Sequence, residues 1–434
     1  MRTQEMKTAK GPAGRPLKIG VIGGGSTYTP ELVEGLLQLE KSVPIERIAL
    51  MDIDERRLEV VGALARRMAD ASDSRAAVDL TSSREDAIRD ADYVLTQIRV
   101  GGVEARIRDE RIAIEHGVIG QETTGPGGFA NALRTVPVVL EIAADVSRVA
   151  PGARLINFTN PSGIVTEALS KHSDLDAIGL CNGPIWAEQA ISDLMGVEPG
   201  QLHMEWVGLN HLSWIRGVRV DEREIIEDVI EKAIDGGFLA QFSPRLLRSL
   251  RMLPSYYLDY YYNTARVLEA QRAAGKTRGE EVREIERRLL AAYADPELEG
   301  KPAELAKRGG AHYSTAAVSL IRALELEEDE QIVNVPNEGA IVELPTDVIV
   351  EVPCTISGGE ARPQPCRPLP AAIRGLIQAV KAYEELAIQA AVEGCEETAV
   401  LALHAHPLIP TFDIAECIWE DIRRAHARYL PQFG

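Results

Sequence analysis

The 434-residue chain contains few cysteines, few aromatic residues and no long apolar run. Its five cysteines follow no regular spacing, which excludes a disulfide framework and favours a reducing, cytoplasmic environment. No stretch of about 18 apolar residues is available to span a bilayer. Residues 1–15 are polar and lack the apolar segment of a secretory signal, so we expect a disordered tail there.

An excess of basic charge is also absent. The chain has 47 lysines and arginines against 66 aspartates and glutamates, a formal net charge of −19. Such a charge repels phosphate backbones and anionic lipid surfaces, so neither nucleic acid nor a membrane is an expected partner. An anionic small molecule would need a local cluster of basic side chains.

The pattern of apolar residues divides the chain into two parts. Residues 16–180 alternate helical segments with short strand-like runs at 18–22, 47–51, 77–80, 93–98 and 154–158. This alternation predicts a Rossmann-like, doubly wound parallel sheet. After residue 180 we expect antiparallel strands near 203–208 and 213–220, a mainly helical stretch from 222 to 330, and strands at 332–335 and 348–352. The prediction is an α/β protein with a nucleotide-binding domain at 16–180 and an α+β domain at 181–434, similar to lactate and malate dehydrogenases.

The first predicted strand ends in a glycine-rich loop. Backbone N–H groups of such a loop can approach a pyrophosphate, and an acid at the end of the second strand can accept from a ribose hydroxyl. The acid favours NAD over NADP. Tyr28 stands where a third glycine is usual, so a plain glycine turn without a nucleotide is the alternative. The candidate cofactor-binding residues are Gly23, Gly25, Ser26, Thr27 and Asp52.

Cys181 and His211 each follow an apolar, strand-like run. A thiolate and an imidazole at the ends of two strands can bind one borderline divalent metal ion. Only two protein ligands are apparent, so substrate oxygens and water would complete the shell, as at a catalytic metal with open positions. The alternative is that both are packing residues.

Several motifs together resemble glycoside hydrolase family 4, the NAD- and metal-dependent glycosidases. The resemblance extends from Lys18 to about Leu430. It rests on residues 22–27 (IGGGST), 98–102 (IRVGG), 120–128 (GQETTGPGG), 157–161 (NFTNP), 181–184 (CNGP), 208–211 (GLNH) and 254–258 (PSYYL).

The resemblance implies roles for the metal pair and for a tyrosine. Cys181 and His211 match divalent metal ligands, typically of Mn²⁺, and Tyr257 matches the base that deprotonates sugar carbon 2. In the implied mechanism NAD⁺ oxidises carbon 3, Tyr257 removes the carbon 2 proton, the leaving group departs, water adds and the hydride returns. The family also implies a homodimer or homotetramer, for which residues 181–434 would supply the contacts.

Four further residues match substrate-binding positions by the same resemblance. They are Arg99, Asn160, Asn182 and Arg278, the last of them near a sugar phosphate. Family members acting on α-glycosides often carry an aspartate after the metal-binding cysteine. Asn182 cannot donate that proton, and the Cys-Asn form resembles the 6-phospho-β-glucosidases, so a phosphorylated disaccharide or β-glucoside is the expected substrate.

Three alternatives remain open at this point. The same mechanism can act on an α-linked or non-phosphorylated glycoside. A net NAD-dependent dehydrogenase of the 2-hydroxy-acid type has a similar nucleotide lobe but accumulates NADH. A nucleotide-sensing regulator would use the fold without catalysis.

Overall fold

The computed structural model describes residues 15–308, 313–326 and 328–434. Apart from Arg15, the predicted disordered tail at 1–15 lies outside the described residues. Over the described ranges no helix is long and apolar enough to cross a membrane.

The described chain alternates strands with helices along most of its length. The strands are β1 (Leu17–Ile22), β2 (Ile45–Met51), β3 (Ala77–Thr81), β4 (Tyr93–Thr96), β5 (Arg154–Asn157), β6 (Ala177–Gly179), β7 (Leu202–Leu209), β8 (Leu212–Val220), β9 (Arg223–Glu224), β10 (Leu253–Pro254), β11 (Asp329–Pro336), β12 (Ile349–Ser357) and β13 (Glu360–Pro363). The helices are α1 (Thr29–Leu39), α2 (Glu55–Asp70), α3 (Arg84–Ile88), α4 (Gly102–Glu115), α5 (Gly125–Val149), α6 (Ser162–His172), α7 (Gly183–Met195), α8 (Ile226–Asp235), α9 (Pro244–Leu250), α10 (Asp259–Tyr262), α11 (Thr264–Ala273), α12 (Arg278–Tyr293), α13 (Tyr313–Glu325), α14 (Ala371–Glu393), α15 (Glu396–Ala405) and α16 (Phe412–His426).

The main sheet has nine strands in the order β13-β12-β11-β6-β5-β4-β1-β2-β3. The six strands from β1 to β6 are parallel, and the predicted doubly wound sheet is confirmed. Their side chains are apolar and largely buried, as expected of a parallel sheet covered by helices on both faces.

Three antiparallel strands from the C-terminal half extend this sheet beyond β6. The sequence predicts β11 and β12 but not that they join the first sheet. Gly179 makes the junction possible, because a Cβ there would clash with Thr166 Oγ1 and lie 2.8 Å from the Cβ of Asn334. The sheet therefore takes strands from both predicted domains, and the boundary at residue 180 stays a prediction.

Helix α5 begins at Gly125, within the glycine-rich 120–128 motif. Two of its first glycines pack directly on the preceding turn. A Cβ at Gly127 would overlap the carbonyl oxygen of Gln121, and one at Gly128 would overlap Thr123. These glycines let the 121–124 segment lie against the first turn of the helix.

A second, smaller sheet is built from β7, β8, β9 and β10. The antiparallel β7–β8 hairpin agrees with the sequence prediction. Its tight turn places His211 in the left-handed region at φ 62°. After β10 the chain forms a single 3₁₀ turn, Tyr256–Leu258.

The carboxyl ends of the parallel strands meet at one edge of the main sheet, where α/β proteins commonly bind ligands. Five residues singled out from the sequence come after these ends: Gly23, Asp52, Arg99, Asn160 and Cys181.

Candidate active site

A cavity of about 650 Å³ lies at this edge of the main sheet. It brings together six of the candidate residues, namely Gly23, Gly25, Ser26, Asp52, Arg99 and Asn160. Thr27 is not in the lining. It is fully buried, its hydroxyl lies 3.5 Å from Glu286 Oε1, and its carbonyl oxygen accepts from the Tyr293 hydroxyl at 2.7 Å.

The glycine loop packs so closely on neighbouring protein atoms that Gly23 and Gly25 leave no room for a Cβ. Gly23 has φ 98°, and a Cβ there would lie 2.6 Å from the carbonyl oxygen of Gln97. The Gly25 N–H donates to Asp52 Oδ2 at 2.9 Å, and a Cβ on Gly25 would lie 2.8 Å from that same oxygen. The loop and the acid thus form one hydrogen-bonded unit in the wall of the cavity, the arrangement in which a glycine loop can approach a dinucleotide.

Cys181 and His211, 30 residues apart, are in contact. Cys181 Sγ lies 3.5 Å from His211 Nε2, a separation that one ion with ligand bonds of roughly 2.0–2.3 Å can bridge. His211 Nδ1 lies 2.8 Å from Thr123 Oγ1, which orients the ring. Across the described ranges no group of three or more His, Cys, Asp or Glu side chains is arranged to hold a metal ion. The two-ligand metal site therefore stays a prediction, with Cys181 and His211 as its protein ligands.

The ionisation of this pair also suits a metal. Burial lowers the pKa of His211 to about 3, so its imidazole is neutral, the form that binds metals. Burial, reinforced by the Glu351 carboxyl, raises the pKa of Cys181 to about 12. A thiol in such a place ionises when a cation is beside it.

Tyr257 lies directly against the metal pair. Its ring stacks on the imidazole of His211 with 3.7 Å between ring centroids and 15° between planes. The hydroxyl groups of Tyr256 and Tyr257 are hydrogen-bonded, and the Arg106 guanidinium is close enough to interact electrostatically with Tyr257. The structure thus brings the predicted base to the predicted metal ligands.

Two arginines flank a carboxylate that the sequence reading missed. Glu122 Oε2 lies 2.6 Å from Arg99 Nη2 and 2.8 Å from Arg106 Nη1. Burial alone would raise the pKa of Glu122, but Arg106 and Arg99 hold it at about 2. The residue belongs to the 120–128 motif, but the resemblance implied no role for it. The ion pairs hold Arg99 at the cavity.

Arg278 is not brought to the cavity. It is the first residue of α12 and its side chain is 48% exposed, paired with Glu281 at 2.8 Å across one helical turn. It also donates to the carbonyl oxygens of Lys307 and Arg308, at 3.2 and 3.4 Å. Arg308 does line the cavity, where it pairs with Glu286 at 2.9 Å.

The two candidate asparagines have different surroundings. Asn160 lines the cavity, and its carbonyl oxygen accepts from Asn131 Nδ2 at 3.0 Å. Asn182 immediately precedes α7, and its side-chain oxygen lies 3.9 Å from Cys181 Sγ. A carboxamide therefore stands beside the proposed metal ligand.

Tyr429 enters the cavity from the C-terminal end of the chain, a contact without any local sequence signal. A Cβ on Gly101 would lie 3.2 Å from its ring. The preceding helix is anchored by a fully buried polar contact, in which His426 Nε2 lies 2.7 Å from Asp109 Oδ1. Arg134 binds the same carboxylate through two hydrogen bonds, at 2.9 and 2.6 Å.

Glu351 lies behind the metal pair, on β12. Its carboxyl accepts from Trp206 Nε1 at 3.0 Å, Asn210 Nδ2 at 2.9 Å and Asn334 Nδ2 at 3.2 Å. Burial raises the pKa of Glu351 to about 7 despite these donors. The sequence offered no reason to single it out, since its partners come from the β7–β8 hairpin and from β11.

Comparison with known proteins identifies the family. The model of the family 4 glycosyl hydrolases matches residues 18–197, and that of their C-terminal domain matches residues 206–409. The chain is 42% identical over 435 residues to a probable 6-phospho-beta-glucosidase of Bacillus subtilis strain 168, covering 96% of this chain and 98% of the relative.

Solved structures agree with that match. The 6-phospho-beta glucosidase of Thermotoga maritima, solved with manganese, NAD⁺ and glucose-6-phosphate, superposes with a TM-score of 0.89 at 36% identity, covering 95% of this chain and 99% of that one. A lactate dehydrogenase from a Medee basin deep-sea metagenome library is 14% identical with a TM-score of 0.56, covering 87% of this chain and 99% of that one. The second similarity concerns the fold alone and confirms the predicted fold resemblance to lactate dehydrogenases. On the two matched models and the near-complete coverage of its relatives, the chain belongs to glycoside hydrolase family 4.

Proposed function

We propose that this chain hydrolyses 6-phospho-β-glucosides with NAD and a divalent metal, such as Mn²⁺, as bound cofactors. The observation that carries the proposal is the convergence of Cys181, His211 and Tyr257 at 3.5 and 3.7 Å, next to a glycine-loop cavity. Support also comes from the relatives, since the Bacillus subtilis and Thermotoga maritima proteins bear this activity in their names.

The residues present fit both cofactors. Gly23, Gly25 and Asp52 would hold the dinucleotide, and Cys181 with His211 would hold the metal. When bound, NAD⁺ would take a hydride from sugar carbon 3 and later return it, while the metal would polarise the resulting ketone and acidify the hydrogen on carbon 2.

Tyr257 acts as the base in this proposal. Its hydroxyl oxygen takes the proton from carbon 2, after which the aglycone leaves carbon 1 and water adds there. A tyrosine is an effective base only when a cation stabilises its phenolate. The Arg106 guanidinium is close enough to interact electrostatically with it, and His211 keeps the ring fixed by stacking.

Arg99 and Arg308 are the proposed contacts of the 6-phosphate. Both line the cavity, and each is oriented by a carboxylate, Glu122 for Arg99 and Glu286 for Arg308. Guanidinium groups recognise phosphate through paired hydrogen bonds. Arg278 contributes by holding the backbone of residues 307–308.

Asn160 and Asn182 complete the proposed substrate contacts. Asn160 faces the sugar from the cavity wall. Asn182 stands where a carboxylic acid would serve as proton donor to an α-linked leaving group, and its amide cannot do so. We therefore assign the β-anomer as the substrate.

Location and assembly are part of the same proposal. Five free cysteines, with Cys417 exposed and no disulfide among the described residues, favour a reducing cytoplasm. We propose a homodimer or homotetramer on the strength of the family resemblance.

Hydrolysis of p-nitrophenyl β-glucoside 6-phosphate by dialysed protein tests the proposal. NAD⁺ and Mn²⁺ are added singly and together, beside the α-anomer and both non-phosphorylated sugars. Activity on the phosphorylated β-anomer alone, and only with both cofactors, is the expected result. Activity on the non-phosphorylated sugar would remove the phosphate role from Arg99 and Arg308, and stoichiometric accumulation of NADH would identify a net dehydrogenase instead.

A further inference from the structure

Three aromatic residues form a partly exposed cluster beside the metal pair, here termed the aromatic corner: Trp186, Phe238 and Tyr256. The Trp186 ring lies 5.7 Å from that of Phe238, and 5.7 Å from that of Tyr256 at an angle of 72°. Trp186 is 40% exposed and Tyr256 is 37% exposed, whereas Trp206 nearby is 2% exposed. Large apolar side chains left open to solvent in contact with one another are typical of a binding surface.

The corner adjoins the reacting groups from two directions. The ring of Tyr256 lies 4.3 Å from that of Tyr257, the proposed base. Trp186 lies one helical turn beyond Asn182, to whose carbonyl oxygen its N–H donates at 2.9 Å. The aromatic corner is therefore fixed to the same loop and 3₁₀ turn that carry Cys181 and Tyr257.

The stereochemistry of a β-glucoside determines which part of the substrate meets this surface. A base must reach the hydrogen on carbon 2 directly. In a β-glucoside that hydrogen and the carbon 1 substituent lie on the same face of the sugar ring, one bond apart. The aglycone is therefore next to the neighbours of Tyr257, while carbon 6 lies at the opposite end of the ring.

We propose that the aromatic corner is the aglycone subsite and that it selects aryl aglycones. The inference rests on the proposed function and names the class of leaving group for it. The side chains lining the crevice at the corner are mostly aromatic or aliphatic. Among the described lining residues there is no lysine, arginine, asparagine or glutamine. On this surface a glucosyl aglycone would find few protein donors and would keep most of its hydroxyl groups in water, whereas an aryl ring gains apolar and stacking contacts.

The ring stacks on the exposed surface and does not enter the crevice. The crevice holds about 30 Å³, whereas an apolar cavity that binds benzene measures about 150 Å³. Trp186 and Tyr256, nearly perpendicular to each other, offer one face and one edge to a planar group. Such contacts between aromatic rings change binding by about three- to tenfold.

The test compares three substrates in the full-length protein with both cofactors: phenyl β-glucoside 6-phosphate, methyl β-glucoside 6-phosphate and cellobiose 6′-phosphate. The kcat/KM of each variant is divided by that of the wild type on the same substrate, so differences in leaving-group chemistry cancel. For Trp186→Ala we expect kcat/KM to fall about three- to tenfold on the phenyl substrate and less than about twofold on the other two. Trp186→Phe should recover most of the loss.

Phe412→Ala is the matched control, because Phe412 is also 40% exposed and lines neither the cavity nor the crevice. It should leave all three substrates unaffected. An equal effect of Trp186→Ala on all substrates, a loss confined to the cellobiose derivative, or a changed oligomeric mass would each overturn the proposal. Wild-type protein inactive on all three substrates would instead overturn the proposed function itself.

Discussion

The glycine loop and the metal pair lie at the same edge of the molecule but are built in opposite ways. The loop depends on side chains that are absent, since a Cβ on Gly23 would overlap the carbonyl oxygen of Gln97 and one on Gly25 would lie 2.8 Å from Asp52 Oδ2. The metal pair depends on side chains that are present and converge from distant segments, Cys181 after β6 and His211 in the β7–β8 turn. The first region is therefore a property of local backbone, and the second is a property of tertiary packing.

Cys181→Ser should abolish metal binding and leave NAD⁺ binding intact. Of the variants considered, it should have the largest effect on turnover. Losing the thiolate ligand removes the polarising ion, so turnover should fall by about a thousandfold or more. Calorimetric titration should show Mn²⁺ affinity lost and NAD⁺ affinity unchanged. Cys417→Ser, at an exposed cysteine, is the control. Unchanged metal-dependent turnover in Cys181→Ser would remove the metal assignment.

Gly25→Ala is the converse experiment. The added methyl would lie 2.8 Å from Asp52 Oδ2 and would push the carboxylate out of place. We expect NAD⁺ to bind about 10- to 100-fold more weakly while Mn²⁺ binds normally, measured by the same titrations. Gly375→Ala serves as control because its Cβ would meet nothing within 4 Å. Equal NAD⁺ affinity in Gly25→Ala and wild type would contradict a cofactor role for the loop.

Tyr429→Ala tests whether a residue distant in sequence contributes to NAD⁺ binding. The Tyr429 ring lines the cavity but lies outside the glycine-loop motif. Loss of an aromatic contact should weaken NAD⁺ binding by about three- to tenfold, and Tyr429→Phe should restore most of it. Protein fluorescence during NAD⁺ titration reports the change. If both variants bind like wild type, the C-terminal segment takes no part in the cofactor site.

The smallest effect concerns the carboxyl group behind the metal pair. Since the pKa of Glu351 is raised to about 7 in the folded protein, its neutral form stabilises the fold fully below the ordinary carboxyl pKa. That stability is lost as pH rises through about 7, with a slope of at most about 1.4 kcal/mol per pH unit.

Glu351→Gln keeps the side chain neutral at every pH and should flatten this dependence. Urea unfolding of EDTA-treated protein between about pH 5 and pH 8 measures it, with the exposed Glu299→Gln as control. A Glu351→Gln profile parallel to wild type would show that this carboxyl does not titrate in that range.

The parallel sheet could be predicted because its strands are continuous apolar runs separated by helical spacing. The glycine loop could also be predicted, since its residues are neighbours in sequence. The pairing of β11 with β6 could not be predicted, because it depends on Gly179, which leaves room for Asn334, 155 positions away.

The roles that the sequence did not predict belong to side chains that come together from distant segments of the fold. Glu122 belonged to a recognised motif, but its role depends on Arg106, which no motif singled out. Arg278 was chosen by resemblance, yet the N-terminal turn of α12 directs its side chain to Glu281 and to the backbone before Arg308. The position of a side chain in a cavity follows from the packing of several elements, which one local sequence pattern does not contain.

The most direct test of the elimination mechanism is hydrolysis of p-nitrophenyl β-glucoside 6-phosphate in D₂O with NAD⁺ and Mn²⁺, followed by mass spectrometry of the glucose 6-phosphate released. If Tyr257 removes the carbon 2 proton and exchanges it with solvent, the product carries one non-exchangeable deuterium at that carbon. A product with hydrogen retained at carbon 2 would contradict the mechanism and indicate direct displacement at carbon 1.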